Sequence, residues 1–167
     1  MQIRQATVDD AEAIANVHVS AWQETYRGII PDDYLDQLST EKCAAAWREL
    51  LVDGLVFVAV DAKGLIGFAH GKQNQTESTE GELSAIYLLR SYQGRGIGRA
   101  LVNRVVRQLE EHGVTSLIIA VLADNPACHF YQNQARIRPL LNDPGEARVK
   151  VGDESPPSLS GISFVKR

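Results

Sequence analysis

Apolar residues fall along this chain in two rhythms, a spacing of three to four residues and a short near-continuous run, and their order lays out the elements. Residues 1–6 read as a short strand, after which Thr7 or Asp9 offers the side-chain oxygen that caps a helix. Over residues 11–22 the positions Ile14, Val17, Ala21 and Trp22 share one helical face, and residues 26–31 break it. A second helical stretch, residues 32–51, carries Tyr34, Leu35, Leu38, Ala45, Trp47 and Leu51, with an interruption near Ser39-Thr40 where a hydroxyl can restart the helix. Residues 55–60 and 65–71 are strand-like, and Asp61-Ala62-Lys63-Gly64 between them has the length of a hairpin turn. Residues 73–80 lack apolar periodicity and read as an exposed loop.

The stretch from Glu82 to His112 organises the rest. Leu83-Ser84-Ala85-Ile86-Tyr87-Leu88-Leu89 has the content of a largely buried central strand. It runs through Arg90-Ser91-Tyr92 into Gln93-Gly94-Arg95-Gly96-Ile97-Gly98-Arg99, where three alternate glycines leave the backbone open to close approach. From there Ile97, Leu101, Val102, Val105, Val106 and Leu109 recur at helical intervals, and the helix stops at His112-Gly113. Residues 116–122 form another apolar run, as in a strand covered on both faces. Asn125-Pro126 starts a short helix, with proline where its missing donor costs nothing. Residues 146–151 and 159–165 read as two edge strands around a loop whose paired prolines, Pro156 and Pro157, prevent a continuous strand.

Strand, glycine turn and helix in that order make an anion site. The first amides of a helix have no internal partner and lie at the positive end of its dipole, and Arg95 and Arg99 add full charges. A phosphate or diphosphate is the natural occupant. The P-loop pattern fails because no Gly-Lys-Ser/Thr follows. A dinucleotide fold wants its third glycine one residue later and its glycine strand near the start of the unit, although Asp124 does end the next apolar run. A merely tight turn is the remaining alternative.

Charge and composition narrow the field. At 167 residues the chain reads as one domain, 1–167, long enough to bury a single core. A formal charge of -4 argues against nucleic acid or a membrane surface as partner. Two cysteines, Cys43 and Cys128, provide neither a disulfide framework nor a metal site, and no metal is expected. No apolar run approaches the roughly 18 residues of a membrane span and no signal-peptide core opens the chain, so the expected location is the cytoplasm. Edge strands in the tail leave room for a homodimer.

Gln93-Gly94-Arg95-Gly96-Ile97-Gly98 matches the Gln/Arg-x-x-Gly-x-Gly/Ala motif of the GNAT superfamily of N-acetyltransferases, and it stands where that family has it. Leu122-Ala123-Asp124-Asn125-Pro126-Ala127 followed by Phe130-Tyr131 resembles the next family block, in which an Asn opens a helix carrying a tyrosine. Trp22 to Pro31 is similar to the helix and loop of small bacterial members. The tail departs from the pattern: Ala135-Arg136-Ile137-Arg138-Pro139 stands where the family often has Gly-Phe. The resemblance implies a mixed, mostly antiparallel α/β sheet flanked by helices, with acetyl-CoA as cofactor and an amine as acceptor.

The resemblance also assigns roles. Gln93 to Arg99 would hold the diphosphate, the backbone of Ile86, Tyr87 and Leu88 would meet the pantetheine arm as an added strand, and Asn125 would bond the same arm or cap its helix. An alkylamine has a pKa of about 10 and must lose a proton before it attacks, so a base is required. Glu82, at the start of the central strand, is the candidate base; its alternative is a solvated strand-end acid. Tyr131 is the candidate donor to the departing sulfur; its alternative is a core tyrosine beside Phe130. Trp22, Tyr26 and Tyr87 are candidate walls of the acceptor pocket, each of a residue type more often found in a core, and Glu24 either holds a cationic amine or is solvated. His18, His70, His112 and His129 show no metal-ligand spacing and Cys128 no partner base. The functional alternative from another class is a non-catalytic acyl-CoA sensor or scaffold.

Overall fold

The computed structural model of the chain describes residues 1–122 and 147–152. Among them runs a six-stranded sheet, β1 (Gln2–Gln5), β2 (Leu55–Asp61), β3 (Gly64–Gln73), β4 (Glu80–Leu88), β5 (Ser116–Leu122) and β6 (Ala147–Gly152), in spatial order β1-β2-β3-β4-β5-β6. The first four strands pair antiparallel, and β4-β5 and β5-β6 pair parallel. This is the mixed, mostly antiparallel sheet that the sequence predicts. The helices are α1 (Ala11–Tyr26), α2 (Asp32–Asp36), α3 (Thr40–Asp53) and α4 (Ile97–Glu111).

Local chemistry sets the boundaries. Thr7 precedes a 3-10 turn, Val8–Asp10, whose Asp10 carboxylate accepts from the Thr7 amide at 2.8 Å and from both terminal nitrogens of Arg4, tying β1 to the start of α1. The Ser39 hydroxyl accepts the Lys42 amide at 3.2 Å and restarts the helix as α3. Gly113, at φ +82°, takes the left-handed conformation just past α4. The strand at residues 146–151 is found as β6, paired to β5; residues 159–165 lie outside the described residues.

The sheet separates two apolar layers. On one face α4 seats Ile97, Leu101, Val102, Val105, Val106 and Leu109 against β2, β3 and β5. On the other, α1 and α3 bury Ile14, Val17, Cys43 and Trp47 against Val56, Val58 and Phe68. The α4 layer fits tightly over β3, where a Cβ on Gly71 would sit 2.3 Å from Val105 Cγ1, so glycine there is a matter of space.

Two irregularities in β4 matter for function. His70 of β3 pairs with Ala85, yet the next β3 residue, Gly71, pairs with Leu83, so Ser84 is one residue extra and makes a bulge. Leu83 accordingly packs toward α4 while Ala85, of the same parity, packs toward α1 and α3. The parallel ladder to β5 ends at the same place, its last pair being Leu83 with Ile119, although β4 continues to Leu88 and β5 to Leu122.

Candidate active site

Beyond Leu83, β4 keeps its β3 partner and has no β5 partner among the described residues. Past Leu83 the β5 side of β4 thus carries no ladder among the described residues, which makes a slot for one extended chain in the middle of the sheet. Ile86, Tyr87 and Leu88 are the last three residues of β4, in the stretch beyond that ladder.

At its far end the slot meets the glycine turn. Gly94 and Gly96 have φ of +74° and +77°, and a Cβ at either would meet nothing within 4 Å, so conformation rather than crowding requires glycine. Buried Ile97 anchors the start of α4 in the core, and the first helical bond there runs from the Ala100 amide to Gly96 O at 3.1 Å. Among the described residues the amides from Gly94 to Arg99 donate to no backbone carbonyl. Arg95 and Arg99 are exposed, and neither pairs with an acid among the described residues. Gln93 is exposed, and its side-chain amide donates to Leu88 O at 3.1 Å, binding the turn to the end of β4.

A second tie comes from the β2–β3 hairpin. Tyr92 Oη donates to Asp61 Oδ2 at 2.7 Å, which holds the Asp61 carboxyl below its usual range, and the Arg95 guanidinium lies 5.4 Å above the Tyr92 ring. Sequence reading missed this tie because residues 61 and 92 meet only through the sheet.

Glu82 stands two residues before the bulge, about one-third exposed, with Oε2 3.1 Å from Lys72 Nζ and Oε1 accepting from Ser84 Oγ at 3.2 Å. The Lys72 partnership also escaped sequence reading, although the β3–β4 register sets the two side by side. Trp22 and Tyr26 are buried and meet edge to face at 5.2 Å, and Trp22 Nε1 donates to Tyr87 Oη at 2.8 Å. These three candidate pocket residues thus form one cluster with Leu35 of α2. Glu24 is not part of it: lying two residues from both Trp22 and Tyr26, it is exposed on the opposite side of α1. Asn125, Tyr131, Cys128 and His129 lie outside the described residues.

His18 and His70 are buried. Cys43, a free thiol, is buried beside His18, and burial pushes it up to about 11, which leaves it a thiol rather than a nucleophile. Among the described residues no helix is long and apolar enough to cross a membrane.

Helix-start amides beside two exposed arginines suit a diphosphate, and the half-paired strand suits an amide-bearing arm attached to it. Such a site suits an acyl carrier that joins a diphosphate to an amide-bearing arm. The acetyltransferase (GNAT) family model matches residues 14–135, and the chain belongs to that family. It is an N-acetyltransferase that uses acetyl-CoA. Its relatives include the uncharacterized N-acetyltransferase YuaI of Bacillus subtilis, 41% identical over 78% of this chain and 76% of that protein. The aminoglycoside N(6')-acetyltransferase type 1 of Stenotrophomonas maltophilia is 36% identical over 79% of this chain and 87% of that protein. In structure the chain is similar to the PaiA N-acetyltransferase of Thermoplasma acidophilum in complex with coenzyme A, with a TM-score of 0.70, 25% identity, and coverage of 79% of this chain and 87% of that one.

Proposed function

We propose that the enzyme acetylates a primary amine by direct transfer in a ternary complex, and the observation that carries this reading is the slot in β4 opening onto the glycine turn. The amides of residues 94–99, with Arg95 and Arg99, hold the diphosphate of the cofactor. The backbone of Ile86, Tyr87 and Leu88 completes the sheet with the pantetheine arm, assisted by Asn125. Acetyl-CoA supplies the acetyl group in activated thioester form.

The residues around it handle protons and orientation. Glu82 accepts the amine proton, directly or through a water, and to do so the incoming ammonium must compete with Lys72 for the carboxylate. A backbone amide of the 86–88 segment would stabilise the charge that develops on the thioester carbonyl oxygen. The Tyr131 phenol protonates the departing sulfur. No covalent enzyme intermediate is required. Half-buried Tyr87 is the wall against which the acceptor lies, with buried Trp22 and Tyr26 packed behind it.

The names of relatives span an aminoglycoside, spermidine and a ribosomal-protein alanine as acceptors, all of them amines. The deciding measurement is thiol release at fixed acetyl-CoA with kanamycin A, spermidine and an alanine-initiated peptide. Turnover of at least one supports the enzyme reading; acetyl-CoA binding with no release on any amine would point instead to a sensor or scaffold. We predict that Tyr131→Phe lowers kcat by about 100-fold or more with acetyl-CoA affinity nearly intact, the low end of what loss of a general acid costs. Unchanged kcat would remove Tyr131 from the mechanism.

A further inference from the structure

The aromatic cluster under β4 contains one side chain that a purely apolar core would not choose. His18 of α1 is 6% exposed, and its Nδ1 accepts the Trp47 Nε1 proton at 3.1 Å, with Cys43 Sγ 3.5 Å from the same nitrogen. An indole N–H only donates, so Nδ1 is bare and the ring proton sits on Nε2. Rotating the imidazole by half a turn would replace Nδ1 with a carbon and leave the Trp47 donor buried without an acceptor. Trp47 therefore fixes the imidazole in one orientation.

That orientation is directed at Tyr87. The His18 ring meets Trp22, Trp47 and Phe68 edge-on at 5.7 to 5.8 Å but lies over the Tyr87 ring at 4.7 Å and 26°. Trp22, one helical turn on from His18, donates to the Tyr87 oxygen. Helix α1 thus grips Tyr87 twice, by its face and by its oxygen. Among the described residues Tyr87 pairs with β3 through Phe68 and has no ladder to β5, so its side-chain contacts add constraint on the side where the sheet is incomplete.

We propose that His18 is a positioning residue that fixes the Tyr87 ring and, through it, the acceptor-side wall and the open segment of β4. The proposal rests on the reading of Tyr87 as a pocket wall. It makes the His18 ring, buried on α1, a determinant of amine recognition through its stack on Tyr87, while the Trp47 donor seats that ring and adds stability.

Two substitutions separate the two halves of the imidazole's role. His18→Gln keeps an oxygen acceptor for Trp47 and loses the stacking ring; His18→Phe keeps a ring and loses the acceptor. We expect His18→Gln to raise amide hydrogen exchange over residues 85–88 about tenfold relative to the rest of β3 and β4, a local loosening without global unfolding. For each of kanamycin A, spermidine and the alanine-initiated peptide that is turned over, it should raise the amine KM about tenfold while the acetyl-CoA KM stays within about twofold. His18→Phe should melt at lower temperature yet keep exchange and amine KM within about threefold of wild type.

If both variants lose only stability, with exchange over residues 85–88 unchanged, His18 is an ordinary core residue and the proposal is overturned. Tyr87→Leu tests the reading beneath it. An unchanged amine KM in that variant would remove Tyr87 from the acceptor wall, while the exchange measurement would still judge whether His18 positions the strand.

Discussion

Burial pushes His18 down to about 4, and His70, buried beside Trp47 with Lys72 adding a like charge, comes down to about 4 as well. Both imidazoles are neutral in the folded protein at pH 7, while in the unfolded chain they titrate near 6.5. The unfolded state then binds more protons between those values, so stability is full above about 6.5 and is lost as pH falls toward 4. We predict a loss on the order of 2 kcal/mol per histidine between pH 7 and pH 5, read as a falling urea midpoint. Asp10, held below its ordinary 3.8 chiefly by its hydrogen bonds from Arg4, adds its own loss only at still lower pH and does not blur that window. A His18→Phe chain should show about half the pH dependence; an unchanged slope would contradict the assignment. The same scale holds Glu82, the proposed base. Glu82→Gln keeps the shape of the Lys72 contact and removes the proton acceptor, and it should lower kcat by about 100-fold or more at constant acetyl-CoA affinity. A near-normal rate would show that some other group takes the proton.

Elements were legible where one residue pattern had one outcome. The helical spacing from Ile97 to Leu109 could only face one layer, and the structure buries each of those six positions. The Gly94–Gly98 turn was legible because alternate glycines before a helix signal open amides. The bulge at Ser84 was not, because serine and alanine fit either face of a strand and nothing in residues 83–89 marks the lost register. The Tyr92–Asp61 tie and the His18–Tyr87 stack depend on strand order and helix placement, which no local pattern encodes. Glycine at 94 and 96 yields an element-scale prediction. Alanine at Gly96 must adopt a positive φ at a cost of about 1–2 kcal/mol or turn the following amides away. We expect the acetyl-CoA KM of Gly96→Ala to rise about tenfold with kcat less affected, and equal KM values would show that these amides do not hold the cofactor.

At the scale of the molecule, a net charge of -4 surrounds a site built to receive a polyanion, so attraction is local to the α4 terminus rather than a property of the surface as a whole. Two apolar layers hold the sheet rigid on either side of a seam between β4 and β5 that protein alone leaves unfinished among the described residues. An arm that fills the seam binds the folded form only. Saturating coenzyme at about 100 times its Kd should therefore add about 2.7 kcal/mol of stability, measurable as a raised melting temperature. No shift with coenzyme would mean that the seam closes by other means.

If the coenzyme arm completes the sheet as proposed, the survival of the polypeptide is linked to the supply of acyl donor. Starved of it, the chain would offer its unfinished strand edge to proteases and to stray extended peptides; well supplied, it would be zipped shut and long-lived.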